Sequence, residues 1–224
     1  MLPLIGIATV PVILILFYVW FRDKYDREPW WMLLISFAGG AATVPVIIWW
    51  ETIMMRLTEY FYTFEWQHAF VNSFLVAGLC EESMKLIALL LIVWRSNYFN
   101  EKFDGILYAV FVSLGFALVE NIMYVTGNGH QVGITRALTA VPAHAVFGIT
   151  MGFYLARAKF TSRGKWHKLL RAWYIPIILH GTYNYILMAT SNYLLLSFVL
   201  YVGLLYLLGY KEMRVSSLGS IFRK

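Results

Sequence analysis

The chain has 224 residues, of which 60% are hydrophobic and 13% are charged, and its mean hydropathy is +0.66. Soluble domains carry about a quarter of charged residues, so this composition excludes an ordinary soluble protein and indicates an integral membrane protein. The formal net charge of +6 reflects basic loops at anionic lipid headgroups and does not indicate nucleic-acid binding.

The apolar segments predict a single domain over residues 1–224, an all-α polytopic membrane bundle of about seven transmembrane helices. Each segment is close to the ~20 residues that cross ~30 Å of hydrocarbon. The first segment lacks a basic leading region and an obvious cleavage site, so we expect it to be retained as a helix. The predicted spans are residues 2–21, 31–50, 70–94, 104–126, 137–156, 169–189 and 193–210.

Basic residues are concentrated in alternate loops, as expected when cytoplasmic loops collect Lys and Arg. Seven helices with the N-terminus outside and the C-terminus inside place fifteen of the eighteen basic residues in the cytoplasm, leave Arg56 and Arg136 outside, and bury Lys85. The fifteen are Arg22, Lys24, Arg27, Arg95, Lys102, Arg157, Lys159, Arg163, Lys165, Lys168, Arg171, Lys211, Arg214, Arg223 and Lys224. The polar, aromatic-rich stretch 51–69 is expected to be a loop or an interfacial helix on the outer side.

The third predicted span contains the stretch CEESMK, which places Glu81, Glu82 and Lys85 near the middle of an otherwise apolar segment. Such side chains are costly in a membrane when they are unpaired. Lys85 follows the two carboxylates by four and three residues, so all three share a helix face. Because one ammonium cannot fully neutralise two carboxylates, we expect one Glu in a salt bridge and the other with the perturbed pKa of a general base. Cys80 is interpreted as a packing residue.

Other polar side chains lie at a matching depth in the later spans. With ~1.5 Å of rise per residue, Glu81 lies roughly 16 Å and His180 roughly 15 Å below the outer edge of the membrane. Glu120 lies about 9 Å and His144 about 10 Å below it. One cavity open to the extracytoplasmic side could therefore collect all four, and we predict a functional site there. The polar residues of these spans are Glu120, Asn121, His144, His180, Tyr183 and Asn184.

Carboxylates and imidazoles together suit the activation of water, by either of two mechanisms. In a metal-free mechanism a Glu takes the proton and a His–Asn pair stabilises the oxyanion of a peptide bond. In a metal-dependent mechanism Glu and His hold a zinc ion, with a remaining Glu as general base. The spacing leaves both open, since no HExxH is present. The candidate metal ligands are Glu81, Glu120, His144 and His180.

Five ordered blocks resemble the PrsW family of membrane-embedded proteases. They are FRDKYDREP, EESMK, FDGILYAVFVSLGFALVENIMYV, RALTAVPAHAVFGITMGFYLARAKF and LHGTYNYIL, and the resemblance extends over nearly the whole chain, roughly from the first predicted helix to the seventh. The resemblance implies a site-1 protease of the bacterial cell membrane, which makes the first, extracytoplasmic-side cut in a single-pass anti-sigma factor during an envelope-stress response. The family is related to the CAAX prenyl endopeptidase and bacteriocin-processing group of glutamate-type intramembrane proteases.

The motifs of that wider group assign roles to the residues of this chain. Glu81 is the predicted general base, and Glu82 is the second carboxylate, paired with Lys85. The three motifs of that group are a Glu pair followed by a basic residue, a Phe-x-x-x-His and a His-x-x-x-Asn. This chain departs from the second motif, because Phe116 is followed four residues later by Glu120 where those enzymes carry His.

The remaining roles fall on spans four to six. His144, on the next helix, is expected to compensate for the departure at Glu120 and, with it, to position water or bind a metal. His180 and Asn184 are predicted to stabilise the oxyanion, with Tyr183 in support. No cofactor is required in the glutamate-type mechanism, and zinc is required in the metal-dependent one.

Two other functions are possible for the chain. One is a proton- or cation-coupled transporter, and the lack of an evident inverted repeat counts against it. The other is a receptor or scaffold without catalysis.

Overall fold

The computed structural model describes residues 2–58, 64–161, 163–188 and 192–219, and every regular element in these ranges is helical. A π-helical segment, Asn72–Gly78, joins the third helix to the fourth. The all-α prediction is confirmed. In chain order the helices are α1 (Leu2–Arg22), α2 (Trp30–Thr58), α3 (Glu65–Val71), α4 (Leu79–Val93), α5 (Lys102–Leu138), α6 (Ala140–Lys159), α7 (Lys165–Met188) and α8 (Asn192–Leu218).

Helix α5 is the centre of the bundle. Every residue from Phe103 to Ala117 is buried, as expected for a helix that is apolar on all sides. It packs against α1, α2 and α6, while α7 lies between α6 and the π-helical segment, and α8 covers α6 and α7. The helices that carry the site residues form a ring of neighbours, in which α4 packs on α5, α5 on α6, α6 on α7 and α7 on α4.

Four stretches of the described residues are long and apolar enough to cross a membrane. They are Pro3–Arg22, Trp30–Thr58, Lys102–Lys159 and Leu196–Leu218, the third of which joins α5 to α6. A multi-pass membrane protein is thereby confirmed. The count of seven spans and the N-out orientation stay predictions.

The helices extend beyond the predicted spans. Helix α2 continues to Thr58 and α3 begins at Glu65, so the stretch 51–69, for which a loop or an interfacial helix is predicted, is largely helical where it is described. The last predicted span, 193–210, continues to Leu218. Polar residues lower the hydropathy of a segment without breaking its backbone hydrogen bonds, so hydropathy marks only the apolar part of a helix. Ala189 and the tail residues Arg223 and Lys224 lie outside the described residues.

Close helix contacts depend on glycine at two crossings of α5. A Cβ atom on Gly40 of α2 or on Gly115 of α5 would collide with the backbone of the other helix. Gly105 of α5 and Gly152 of α6 face each other in the same way. Small residues at such crossings let helix backbones approach closely, which is how helices pack in a membrane.

Helix α5 reverses direction at Gly129, which has a φ of +82° and a ψ of −170°. Side chains rarely tolerate this conformation, so glycine is the residue that suits it. Positions 120 and 136 would be about 24 Å apart along a straight helix, yet Glu120 Oε2 and Arg136 Nη2 are 2.7 Å apart. The segment after Gly129, which the sequence predicts as an outer loop, therefore folds back over the bundle.

A second group of buried carboxylates lies at the other end of α5. Asp23 is 1% exposed and Glu28 is 6% exposed. Asp23 Oδ2 accepts a hydrogen bond from the backbone N–H of Glu28, and the Tyr108 hydroxyl donates to Glu28 Oε2. Burial raises the pKa of Asp23 and the pKa of Glu28 to about 7, because a charged carboxylate loses its hydration there. The FRDKYDREP block thus forms a hydrogen-bonded turn with two buried carboxylates, Asp23 and Glu28.

The raised pKa values of Asp23 and Glu28 predict that the protein becomes less stable as the pH rises. Between the unfolded pKa of about 4 and the folded pKa of about 7, the folded state binds more protons than the unfolded state, so the free energy of unfolding falls over this window. Asp23→Asn removes one titrating group and should flatten the curve, with little effect at pH 4 and stabilisation at pH 8. Thermal unfolding across pH measures this. An unchanged slope in Asp23→Asn would contradict it.

Candidate active site

The carboxylates of the CEESMK stretch begin α4, directly after the π-helical segment. Gly78 at the end of that segment leaves no room for a side chain: a Cβ atom there would lie 3.1 Å from the Ile177 carbonyl oxygen and 3.3 Å from the Gly181 nitrogen. π-Helical turns are frequent at functional sites. This close approach brings the start of α4 against α7, so that Glu82 and His180 can meet.

Lys85 lies at the centre of the site and is fully buried. Its Nζ donates to Glu81 Oε2 at 3.0 Å, to Glu82 Oε1 at 2.8 Å and to His144 Nδ1 at 3.2 Å. These contacts use all three N–H groups of the ammonium. The expectation that only one of the two carboxylates pairs with Lys85 is wrong, because the spacings of three and four residues put both within reach of one ammonium.

His180 on α7 binds the same carboxylates. Its Nδ1 lies 2.9 Å from Glu82 Oε1 and 3.7 Å from Glu81 Oε2. An ionised carboxylate only accepts hydrogen bonds, so Nδ1 of His180 carries a proton. His180 can then donate to an oxyanion through Nε2 only when both ring nitrogens are protonated. The Phe147 ring stacks on the imidazole at a centroid distance of 5.0 Å.

Glu120 joins the site through His144. Its Oε2 lies 3.0 Å from His144 Nε2 and 2.7 Å from Arg136 Nη2. Because Glu120 accepts at Nε2 and the Lys85 ammonium donates at Nδ1, the contacts assign His144 as a neutral imidazole with its proton on Nε2. Glu120 and His144 are therefore close together, as predicted. Glu120, which stands where the wider group carries His, contacts His144 at Nε2, the ring nitrogen opposite the one that meets Lys85.

Two predicted site residues lie apart from this network. The Tyr183 hydroxyl donates to Thr139 Oγ1 at 3.0 Å. Asn184 is half-buried, and its side chain makes no hydrogen bond within the described part of the chain. Its role in binding an oxyanion stays a prediction.

Arg136 and Glu51 are two residues near the site that sequence reasoning left in the outer loops. Arg136 reaches Glu120 only because the chain reverses at Gly129. Glu51 belongs to α2 and interacts electrostatically with Glu81 and with Glu120. No helical spacing rule signals either contact, because Glu51 lies on a different helix from Glu81 and Glu120, and Arg136 meets Glu120 only across the reversal of the chain at Gly129.

The donor set of the site suits a metal ion. One ligand atom from each of Glu81, Glu82, His144 and His180 lies within 4.8 Å of the others, and two imidazoles with carboxylates are typical zinc ligands. The predicted ligand set changes at one position, because Glu82 replaces Glu120. Glu120 instead accepts a hydrogen bond from His144 Nε2, as carboxylates often do from the second ring nitrogen of a metal-ligating histidine. The Lys85 ammonium contacts three of these four residues. A metal ion held by them would therefore replace the ammonium as the cation that they share.

Comparison with known proteins identifies the family of this chain. The model of the PrsW family of intramembrane metalloproteases matches residues 28–209. A protein named Protease PrsW from Clostridioides difficile (strain 630) is 37% identical over 212 residues, which cover 92% of this chain and 87% of that protein. One of the same name from Bacillus subtilis (strain 168) is 38% identical over 194 residues, 85% of each chain. No solved structure matches significantly. The chain therefore belongs to the PrsW family of intramembrane metalloproteases and is a peptidase of the cell membrane.

Proposed function

We propose that this peptidase makes the first, extracytoplasmic-side cut in a single-pass anti-sigma factor, which leads to sigma-factor release in an envelope-stress response. The observation that carries the proposal is the position of the site along α5. Glu120 is sixteen residues, or about 24 Å, beyond Asp104 and the buried turn of Asp23 and Glu28. That turn is flanked by basic residues, which predict the cytoplasmic side. We propose on this ground that the opposite end, with the site, lies in the outer half of the membrane.

The geometry supports a division of roles between the two carboxylates. Glu81 is the proposed general base, because its side chain keeps 6% of its surface accessible while that of Glu82 keeps none. Glu82 Oε1 holds both Lys85 and His180 in place. In the metal-free mechanism His180 faces the reacting peptide with Nε2 and stabilises the oxyanion when doubly protonated, with Asn184 one turn further along the same helix. Glu120 and His144 then position the attacking water.

A zinc ion is the metal that we propose for the site. When bound, it supplies a more acidic water and polarises the scissile carbonyl. Glu82, His144 and His180 would hold it, with both histidines as neutral imidazoles, and Glu81 would remain as the general base. Exhaustive chelation of purified enzyme is expected to abolish cleavage, and added Zn²⁺ is expected to restore it, with the metal content measured in parallel. Full cleavage after chelation, with no bound metal detected, would rule out the metal and leave Lys85 as the cation of the site.

Co-expression with a tagged anti-sigma factor tests the substrate. Wild type, Glu81→Gln and Glu65→Gln are compared at equal abundance in the membrane. Glu65 is an exposed carboxylate at the start of α3, so its substitution makes the same chemical change away from the site. A shortened, membrane-retained fragment is expected with wild type and Glu65→Gln and not with Glu81→Gln. A fragment in all three strains points to another protease, and no fragment in any strain shows that the substrate is wrong.

A further inference from the structure

We propose that Arg136 is a positioning residue of this peptidase, which acts through Glu120 to hold His144 in its working orientation and tautomer. The inference rests on the proposed active site but not on the identity of the substrate. Arg136 itself contacts neither the carboxylates of α4 nor His180. Its effect is transmitted through one carboxylate to one ring nitrogen.

The contacts of Arg136 fix the Glu120 carboxylate from one side. Arg136 Nη2 donates to Glu120 Oε2 at 2.7 Å, and Nε donates to Asn121 Oδ1 at 3.0 Å. Asn121 is fully buried and donates through Nδ2 to the Ala8 carbonyl oxygen of α1 at 3.2 Å. The guanidinium also lies over the Tyr124 ring, 3.9 Å from its centroid. A guanidinium held at three points is a rigid donor to Glu120.

The same Glu120 oxygen that accepts from Arg136 also accepts from His144 Nε2. This leaves the lone pair of His144 Nδ1 directed at the centre of the site, where Lys85 meets it. Without Arg136, a carboxylate whose side chain is only 18% exposed loses its cation and is free to turn toward water. His144 then loses the acceptor that keeps its proton on Nε2, and both tautomers become populated.

The backbone at Gly129 delivers Arg136 to this position. A side chain at Gly129 would be strained at a φ of +82°, whereas Gly127, two residues earlier, has open space around it and no positive φ. Gly129→Ala should therefore displace Arg136 and reproduce the Arg136 defect, while Gly127→Ala should not. Gly129→Ala, with Gly127→Ala as its control, thus tests the effect of moving Arg136 without changing its side chain.

The first measurement is the tautomer of His144, which requires no substrate. Full-length enzyme labelled with ¹⁵N-histidine is reconstituted in phospholipid vesicles, and a His144→Asn variant assigns the signal among the chain's five histidines. We expect one Nε2-protonated species in wild type and in Gly127→Ala, and a mixture of tautomers in Arg136→Gln and in Gly129→Ala. An unchanged His144 signal in Arg136→Gln overturns the inference, whether or not any anti-sigma factor is cut.

Kinetics with the tagged anti-sigma factor then measure the size of the effect. Arg136→Gln is expected to lower kcat about 10–100-fold with KM nearly unchanged, and Arg136→Lys should recover part of the loss. In a Glu120→Gln background, Arg136→Gln should cost nothing further, because its effect passes through Glu120. The control is Arg56→Gln, an exposed arginine on α2. A loss that only follows the amount of folded protein, or one that adds fully to Glu120→Gln, indicates a merely structural role.

Discussion

Glu81→Gln is expected to lower kcat for cleavage by about 10²–10⁴-fold, the usual contribution of a general base, while the variant folds as well as wild type. Gln has the same shape as Glu but cannot accept the proton of water. Lys85 keeps its contacts with Glu82 and His144 at 2.8 Å and 3.2 Å, so the ammonium is not left unpaired. The buried site also loses one of two adjacent negative charges, which does not destabilise it.

The matched variant is Glu82→Gln, which is expected to lower the stability of the fold as well as the activity. Glu82 Oε1 binds Lys85 and His180 together, and a neutral amide weakens both contacts. We therefore expect Glu82→Gln to lower the unfolding temperature in detergent as well as the activity. Single-turnover cleavage and thermal unfolding of purified variants measure the two effects. Residual base catalysis in Glu81→Gln, together with a stable but inactive Glu82→Gln, would reverse the assignment of the base.

Lys85→Met is expected to destabilise the folded protein by about 3–5 kcal/mol, the typical cost of removing one partner from a buried ion pair. Glu81 and Glu82 would both remain buried, and Glu82 Oε2 has no hydrogen-bond partner among the described residues even in the wild type. Methionine keeps the length of the side chain, so the loss reports the charge more than the packing. Chemical or thermal unfolding in detergent measures it.

The control for Lys85→Met removes the carboxylate charges as well. In the triple variant Lys85→Met, Glu81→Gln, Glu82→Gln no unpaired charge remains, and replacing a buried ion pair by neutral groups is often tolerated. We expect the triple variant to recover most of the lost stability and to stay inactive. Wild-type stability of Lys85→Met alone would contradict the central role of the ammonium, unless the enzyme carries a bound metal that takes its place.

The local parts of this site follow directly from the sequence. Glu81, Glu82 and Lys85 are joined by spacings of three and four residues on one helix, and such a spacing alone places side chains on one face. Counting along the apolar segments also predicts similar depths for His144 and His180, because a membrane-spanning helix advances by a constant rise per residue, and the centroids of the two rings lie 5.1 Å apart. Within a helix, the number of residues between two positions largely fixes the distance between them.

Only the tertiary structure decided which helices meet and at which residue. The contact of Glu120 with Arg136 depends on one backbone conformation at Gly129, and the exchange of Glu120 for Glu82 among the metal-ligand candidates depends on how α4 packs on α7. Tyr183 shares a helix face with His180 by counting, yet its hydroxyl binds Thr139. The physical reason is that packing between helices is set by the side chains of both partners, and counting along one chain contains no information about the other.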